Sequence, residues 1–315
     1  MSFDQNSADA AAPVSRNIPK GMKRQVRQEC HFGCVICGMP LFEYDHIQQF
    51  AEAKRHDPAN IALLCPNHHS DKTAGRLSTD RVFEARRLPF NGQRSETAAY
   101  GLEVSNSLDV WLGSNHSAAR TSDPGTEYSV VWINGASLFT LHAEGQSYTY
   151  SALVTDETGM PVLRIDHGNL SVATGVWDYR YEGSTMSIRR GEGNILIEAD
   201  INDRVFALRR GAFVDEYETG VLVKPNGDVV FVCSQLEIGT CRDSEFRGMG
   251  AGMSAVVRRS CFGGDIPKHF SIVREWSAEF ESRAAQLRLD MEEGKPPPIP
   301  GGYPIGLSRF EPYPR

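Results

Sequence analysis

The sequence of 315 residues has no run approaching the roughly 18 consecutive apolar residues that a membrane-spanning helix requires. Its first stretch, Met1 to Ser15, is polar and lacks the apolar centre of a secretory signal. These two absences argue against membrane insertion and export and predict a cytoplasmic location. Basic charge is also scarce: 33 Lys and Arg stand against 40 Asp and Glu, a net charge of −7 that speaks against nucleic acid as a partner of the whole chain. No Gly-rich phosphate loop is present, because Gly248 to Gly252 is not followed by Lys-Ser or Lys-Thr. The seven cysteines, an odd number in a chain without an export signal, do not read as a disulfide framework.

What charge there is lies unevenly. Residues 1–94 carry 13 Lys and Arg against 10 Asp and Glu, or +3, and residues 95–315 carry 20 against 30, or −10. Any contact with nucleic acid is therefore expected in the N-terminal third.

The pattern along the chain predicts an α+β protein of two domains. Residues 1–18 are small and polar and read as disordered. Residues 19–95 form a first domain that opens on a short amphipathic helix, where Met22, Val26 and Cys30 fall four apart among basic residues. Later in this domain Ser78 or Thr79 can cap a helix that stops before Pro89. Residues 100–265 switch to short apolar or alternating runs such as Tyr128 to Ile133 and Val229 to Cys233, separated by turn signals such as Pro225-Asn-Gly-Asp228. They predict a β-rich domain, either a sandwich or a coil of short strands, with a regulatory or targeting role. Phe270, Val273, Trp276, Phe280, Ala284 and Leu287 recur at helical spacing and predict a C-terminal helix over 266–293, followed by a Pro- and Gly-rich tail over 294–315.

Chemistry concentrates between Cys34 and Lys72. Cys34-Val-Ile-Cys37 and Cys65-Pro-Asn-His68 are two ligand pairs with two residues in each gap. Such a gap lets both side chains of a tight knuckle face one ion, and two knuckles complete the four-coordinate shell of structural zinc. Zinc leaves unexplained Tyr44-Asp45-His46-Ile47, Asn60, His69 and Lys72.

With those residues in this order, the sequence resembles the HNH endonuclease family over about residues 20–90. The resemblance implies a ββα-metal fold on a structural zinc scaffold, a catalytic divalent ion and a DNA substrate. It implies catalytic roles for His46, Asn60, His69 and Lys72, with Asn60 holding the ββ loop and orienting His46. One departure is that His68 ends the second knuckle where the family usually has Cys; His ligates zinc equally well.

The residue types suit phosphodiester hydrolysis in their own right. An imidazole titrates near neutrality, so His46 can take a proton from water. Asp45 offers oxygen to magnesium or manganese, and His69 adds a nitrogen. Asp45 and His46 are neighbours, so on a regular strand they would point to opposite faces, and their joint use calls for a twist or bulge. Pro66 suits the first turn of a helix that would carry His69, Lys72 and Thr73 on one face, with Lys72 meeting phosphate.

Expected phosphate contacts are Lys20, Lys23, Arg24, Arg27, Lys54, Arg55, Lys72, Arg76, Arg86 and Arg87. The leading expectation is a metal-dependent DNA endonuclease serving restriction or defence. The alternative is a zinc-stabilised module that binds DNA or protein without cleaving. A homodimer and an unidentified partner or ligand of the β domain remain open at this level.

Overall fold

The computed structural model describes residues 17–48, 56–104, 107–119, 125, 127–133, 136–145, 147–215, 218–233, 236–247, 253–256 and 270–273. Of the stretch 1–18 expected to be disordered, residues 1–16 lie outside these residues, as do the phosphate contacts of Lys54 and Arg55 and the tail over 294–315, whereas Ile18 packs partly buried against the small N-terminal core.

The N-terminal region grows from short, locally specified elements. Helix α1 (Lys20–Glu29) places Val26 toward a small core, and Cys30 at its end is buried with it. Strands β1 (Glu43–His46) and β2 (Ile61–Leu64) pair antiparallel without interruption, from Glu43 opposite Leu64 to His46 opposite Ile61. A 3₁₀ turn, Pro58–Asn60, leads into β2, and the Asp57 carboxylate accepts from the Ala59 amide at its start. Helix α2 (Pro66–Thr73) begins at a proline, where no backbone donor is lost. Helix α3 (Thr79–Arg87) is capped by the Ser78 hydroxyl, which accepts from the Arg81 amide.

The β-rich region comprises β3 (Tyr100–Gly101), β4 (Leu108–Leu112), β5 (Asn115–Ala119), β6 (Glu127–Ile133), β7 (Ala136–Glu144) and β8 (Ser147–Thr155). It continues through β9 (Pro161–Asp166), β10 (Asn169–Val172), β11 (Asp178–Glu182), β12 (Thr185–Gly191), β13 (Asn194–Ile201) and β14 (Val205–Val214). The last described strands are β15 (Thr219–Val223), β16 (Val229–Cys233), β17 (Leu236–Cys241), β18 (Glu245–Arg247), β19 (Met253–Val256) and β20 (Phe270–Val273). Antiparallel neighbours dominate. The run β3-β10-β9-β8-β7-β6 adds β19 and β20 in parallel, and β11-β12-β13-β14 adds β4 in parallel, then β5 and β18.

Strand β14 belongs to both sheets: Val205 to Leu208 pairs with β4, and Gly211 to Val214 pairs with β15, with β16 and β17 beyond. Inward residues of both sheets, including Phe139, Tyr150, Phe206 and Phe213, share one core. The Pro225-Asn-Gly-Asp228 turn joins β15 to β16, with Gly227 at φ 91°, a conformation glycine adopts without steric cost.

One expectation is corrected. Residues 270–273 form strand β20, parallel to β19, where the helical spacing predicted the start of a C-terminal helix. Phe-Ser-Ile-Val also suits a strand, since β-branched and aromatic residue types favour extended backbone, and the short run satisfies both periods. The rest of that predicted helix lies outside the described residues.

The two regions share packing. Phe32, in the turn after α1, is buried in the core of the β-rich region, and Phe42 packs against both cores. Among the described residues no helix is long and apolar enough to cross a membrane.

Candidate active site

The two knuckles converge. Cys34, Cys37, Cys65 and His68 hold their ligand atoms within 4.8 Å of one another. His68 Nδ1 lies 3.2 Å from the Cys65 sulfur and 3.5 Å from that of Cys34. Three sulfurs and one imidazole nitrogen in a partly buried cluster are the donor set that zinc takes in structural sites, so the residues fit that ion. The thiols share protons: a hydrogen bond from Cys37 lowers Cys34 to about 5 against the opposing effect of burial, and the same contact raises Cys37. Cys30 stands apart from the cluster, its thiol pushed up to about 11 by burial.

The first knuckle is tightly fitted. The Gly38 amide donates to Cys34 O at 2.7 Å, and Gly38 has φ 77°. The buried Asn91 side chain donates to Gly38 O at 2.9 Å and to His31 O at 3.2 Å, fixing the knuckle to the segment after α3. Asn91 was invisible in the sequence, where it is one polar residue in a loop.

Strand β1 and helix α2 assemble a second cluster. Pro66 starts α2 in such a register that His68 turns to the sulfurs while His69 and Lys72 face β1. Lys72 Nζ lies 2.7 Å from Asp45 Oδ2 and donates to His46 O at 2.8 Å. His69 Nε2 lies 3.5 Å from Asp45 Oδ1, and its Nδ1 lies 2.9 Å from Glu43 Oε2. Glu43 and Asp45 share a strand face at two-residue spacing, a periodicity that could have revealed Glu43. A carboxylate on the far nitrogen of a histidine is the contact that orients metal-binding imidazoles. Asp45 oxygen beside His69 nitrogen fits a divalent ion of the magnesium or manganese type.

The β1–β2 register contains no bulge, contrary to the geometry expected if Asp45 and His46 were to act on one face. Asp45 meets α2, and His46 instead sets its Nε2 3.2 Å from His56 Nδ1. Lys72 links the two groups by touching Asp45 and the His46 carbonyl. Burial, followed by the neighbouring His56, lowers the pKa of His46 and so favours the neutral imidazole. His56 was missed because it stands ten positions from its partner with no motif spacing. Asn60 is buried and accepts from the Gln48 amide at 2.8 Å while donating to Gln48 O at 3.2 Å, closing the chain just past His46.

The basic residues divide. Arg27, at 2 % exposure, forks onto Asp178 of β11 with Nε–Oδ1 at 2.7 Å and Nη2–Oδ2 at 2.8 Å, and its Nη1 donates to Tyr44. The expectation that Arg27 meets phosphate is therefore corrected: a buried guanidinium filled by a carboxylate has nothing left to offer DNA. Arg24 lies over the Trp177 ring at 4.4 Å, and Lys23 over Tyr44 at 5.2 Å. The basic side of α1 thus turns toward the acidic β-rich region rather than wholly to solvent. Arg86 is likewise internal, donating to Ile61 O and Pro58 O and pairing with Glu29. Arg76 is exposed beside Asp71.

No curated protein and no solved structure matches the chain. The family comparison covers the N-terminal region and leaves the β-rich region without a family. Residues 28–75, which supply every member of both clusters, match the model of the HNH endonuclease family.

Proposed function

We propose that the protein is a metal-dependent DNA endonuclease whose chemistry is carried by β1 and α2. The observation that carries this reading is the side-by-side placement of the Cys34, Cys37, Cys65 and His68 cluster with the Asp45, His69 and Lys72 cluster on one short helix, in a segment with HNH likeness. Zinc would be held by the first set and would hold β1 and α2 in place. Magnesium or manganese on Asp45 and His69 would neutralise charge growing on the scissile phosphate and leaving oxygen.

The protein's own groups complete the assignment. His46, kept neutral by burial, is the general base that takes a proton from water. Asn60 and the Lys72 contact to His46 O hold the backbone on which that imidazole sits. Glu43 fixes the ring of His69. Lys72, a point charge, would leave Asp45 for a phosphate oxygen when DNA and ion arrive. Phosphate contacts then fall to Lys72, Arg76 and the outer parts of Lys23 and Arg24, with Lys54 and Arg55 retained as candidates from the sequence. Restriction or defence is the setting in which a nuclease joined to an acidic targeting or regulatory domain would serve.

A non-cleaving, zinc-stabilised binding module is the second reading, favoured by the Asp45–Lys72 ion pair, which already sets a positive charge beside the carboxylate. Plasmid digestion with added magnesium or manganese separates the two. Cleavage by the native chain, lost in His46→Ala at unchanged zinc content, is expected; an inert native chain would overturn the nuclease reading.

A further inference from the structure

The buried contact between Arg27 and Asp178 joins residues 151 positions apart, and both partners are almost fully enclosed. Buried ion pairs contribute little net stability, because desolvation offsets attraction. The value of this one lies in its geometry. A guanidinium is a rigid planar fork, so two bonds to one carboxylate fix its orientation. Its third nitrogen is thereby aimed at the Tyr44 hydroxyl. Arg180 adds a further contact to Asp178 Oδ2 at 3.3 Å, holding the carboxylate from its own strand.

Tyr44 immediately precedes Asp45 and His46 on β1. That strand has four residues and, among the described residues, a single partner strand, a pairing that is marginal by itself. Asp45 is drawn to α2 on one face. On the other, Tyr44 meets Arg27, and Phe42 stands edge-on to both Tyr44 and Tyr179 with ring centroids 6.2 Å away in each case. The Gln28 amide donates to Trp177 O at 2.7 Å, so the same turn of α1 is also tied to the residue before β11.

We infer that Asp178 of the β-rich region, acting through Arg27 and Tyr44, sets the position of the strand that carries Asp45 and His46. Arg27, Tyr44 and Asp178 are positioning residues for the reaction proposed above, and the inference rests on that reading for its catalytic consequence. The β-rich region is then a working part of the nuclease, and whatever moves β11 moves the site.

The test uses the whole 315-residue chain, purified with zinc, and the variants Tyr44→Phe, Asp178→Asn and their combination. Tyr44→Phe removes one hydroxyl and keeps the ring packing, so it folds even if Asp178→Asn, which leaves Arg27 without its counter-charge, does not. Plasmid cleavage in manganese should show kcat reduced about tenfold in each single variant with KM for DNA little changed, the signature of a displaced reacting group. The double variant should be no worse than the poorer single one, because both act through one chain of contacts. Amide exchange over residues 44–47 should quicken about tenfold in Tyr44→Phe. Wild-type kcat in Tyr44→Phe, or losses that multiply in the double variant, would overturn the inference. If the native chain does not cut DNA, the nuclease reading fails, and the exchange measurement alone decides the positioning: unchanged protection of residues 44–47 in Tyr44→Phe overturns it, and faster exchange supports it.

Discussion

Residues 20–91 and the strands from β4 onward both enclose apolar cores, yet they reach them over different distances along the chain. The first core gathers Val26, Val35, Ile47, β2 and Val82, and its ligand cluster lies within Cys34 to His68. The second gathers Leu108 through Met253, and β4 pairs with β14 across about a hundred residues. A small core closed by four ligands depends on an ion; a large one depends on the sum of its packed side chains. The segment that matches the HNH family model lies in the former, where the four-ligand cluster fits an ion that would hold strands too short to hold themselves.

The sharpest way to break this contrast is to remove the zinc ligands. Cys34→Ser combined with Cys65→Ser should abolish the single zinc expected per chain and cost the N-terminal region about 10 kcal/mol, the scale of structural zinc binding. Circular dichroism should then lose the helical contribution of α1 to α3 and retain strand signal. Full helical signal at zero zinc by metal analysis would show that the apolar core suffices.

The converse change strikes the larger core. Phe139 is fully buried against Phe206, Phe213 and Tyr150, with ring centroids from 4.8 to 6.0 Å. Phe139→Ala should destabilise the β-rich region by about 3–5 kcal/mol through lost burial and a residual cavity. Zinc content should stay at one per chain, and its loss would mean that the regions fold as one unit.

A third change probes the knuckle without touching a ligand. An added Cβ on Gly38 would lie 2.2 Å from Asn91 Oδ1 and would also have to bear φ 77°. Gly38→Ala should therefore cost about 1–3 kcal/mol and speed zinc loss to a chelator. Unchanged release kinetics would show that Asn91 can swing away.

These contrasts also explain what could be read from the sequence. Knuckle spacing, Pro66 at a helix start, Ser78 as a cap and Asn226-Gly227 as a turn are local signals, and each has its counterpart in the structure. The failures involve distant partners. The basic face of α1 looks like a phosphate-binding surface until Asp178 and Trp177, some 150 residues away, are brought against it. A charge pattern records that a side chain needs a counter-charge but not which one. His56 and Asn91 likewise owe their places to contacts made across loops. Phe270 to Val273 fits two periods over four residues, and pairing with β19 decided between them.

The smallest expected effect tests whether the two regions melt separately. Ser78 caps α3 by accepting from the Arg81 amide at 3.2 Å, and its side chain has no other role in the local fold described above. Ser78→Ala should cost about 1 kcal/mol, the usual value of a lost cap. How far that moves a melting temperature depends on the size of the cooperative unit, because the entropy of unfolding grows with the number of residues that melt together. If the zinc-bearing region melts on its own, the shift should be about 4–8 °C, as for units of 60–100 residues; if the whole chain melts together it should be about 2 °C or less. The regions are joined by Arg27 with Asp178, by Gln28 and Arg24 with Trp177, and by Phe32 and Phe42, while each keeps its own buried cluster. Two calorimetric transitions are therefore expected, with the first displaced by the larger amount and the second unmoved. A single transition displaced by about 2 °C would make these contacts together strong enough to fuse the regions, and the contrast between a segment closed by a ligand cluster and a packing-held one would then describe how each is built but not how it fails.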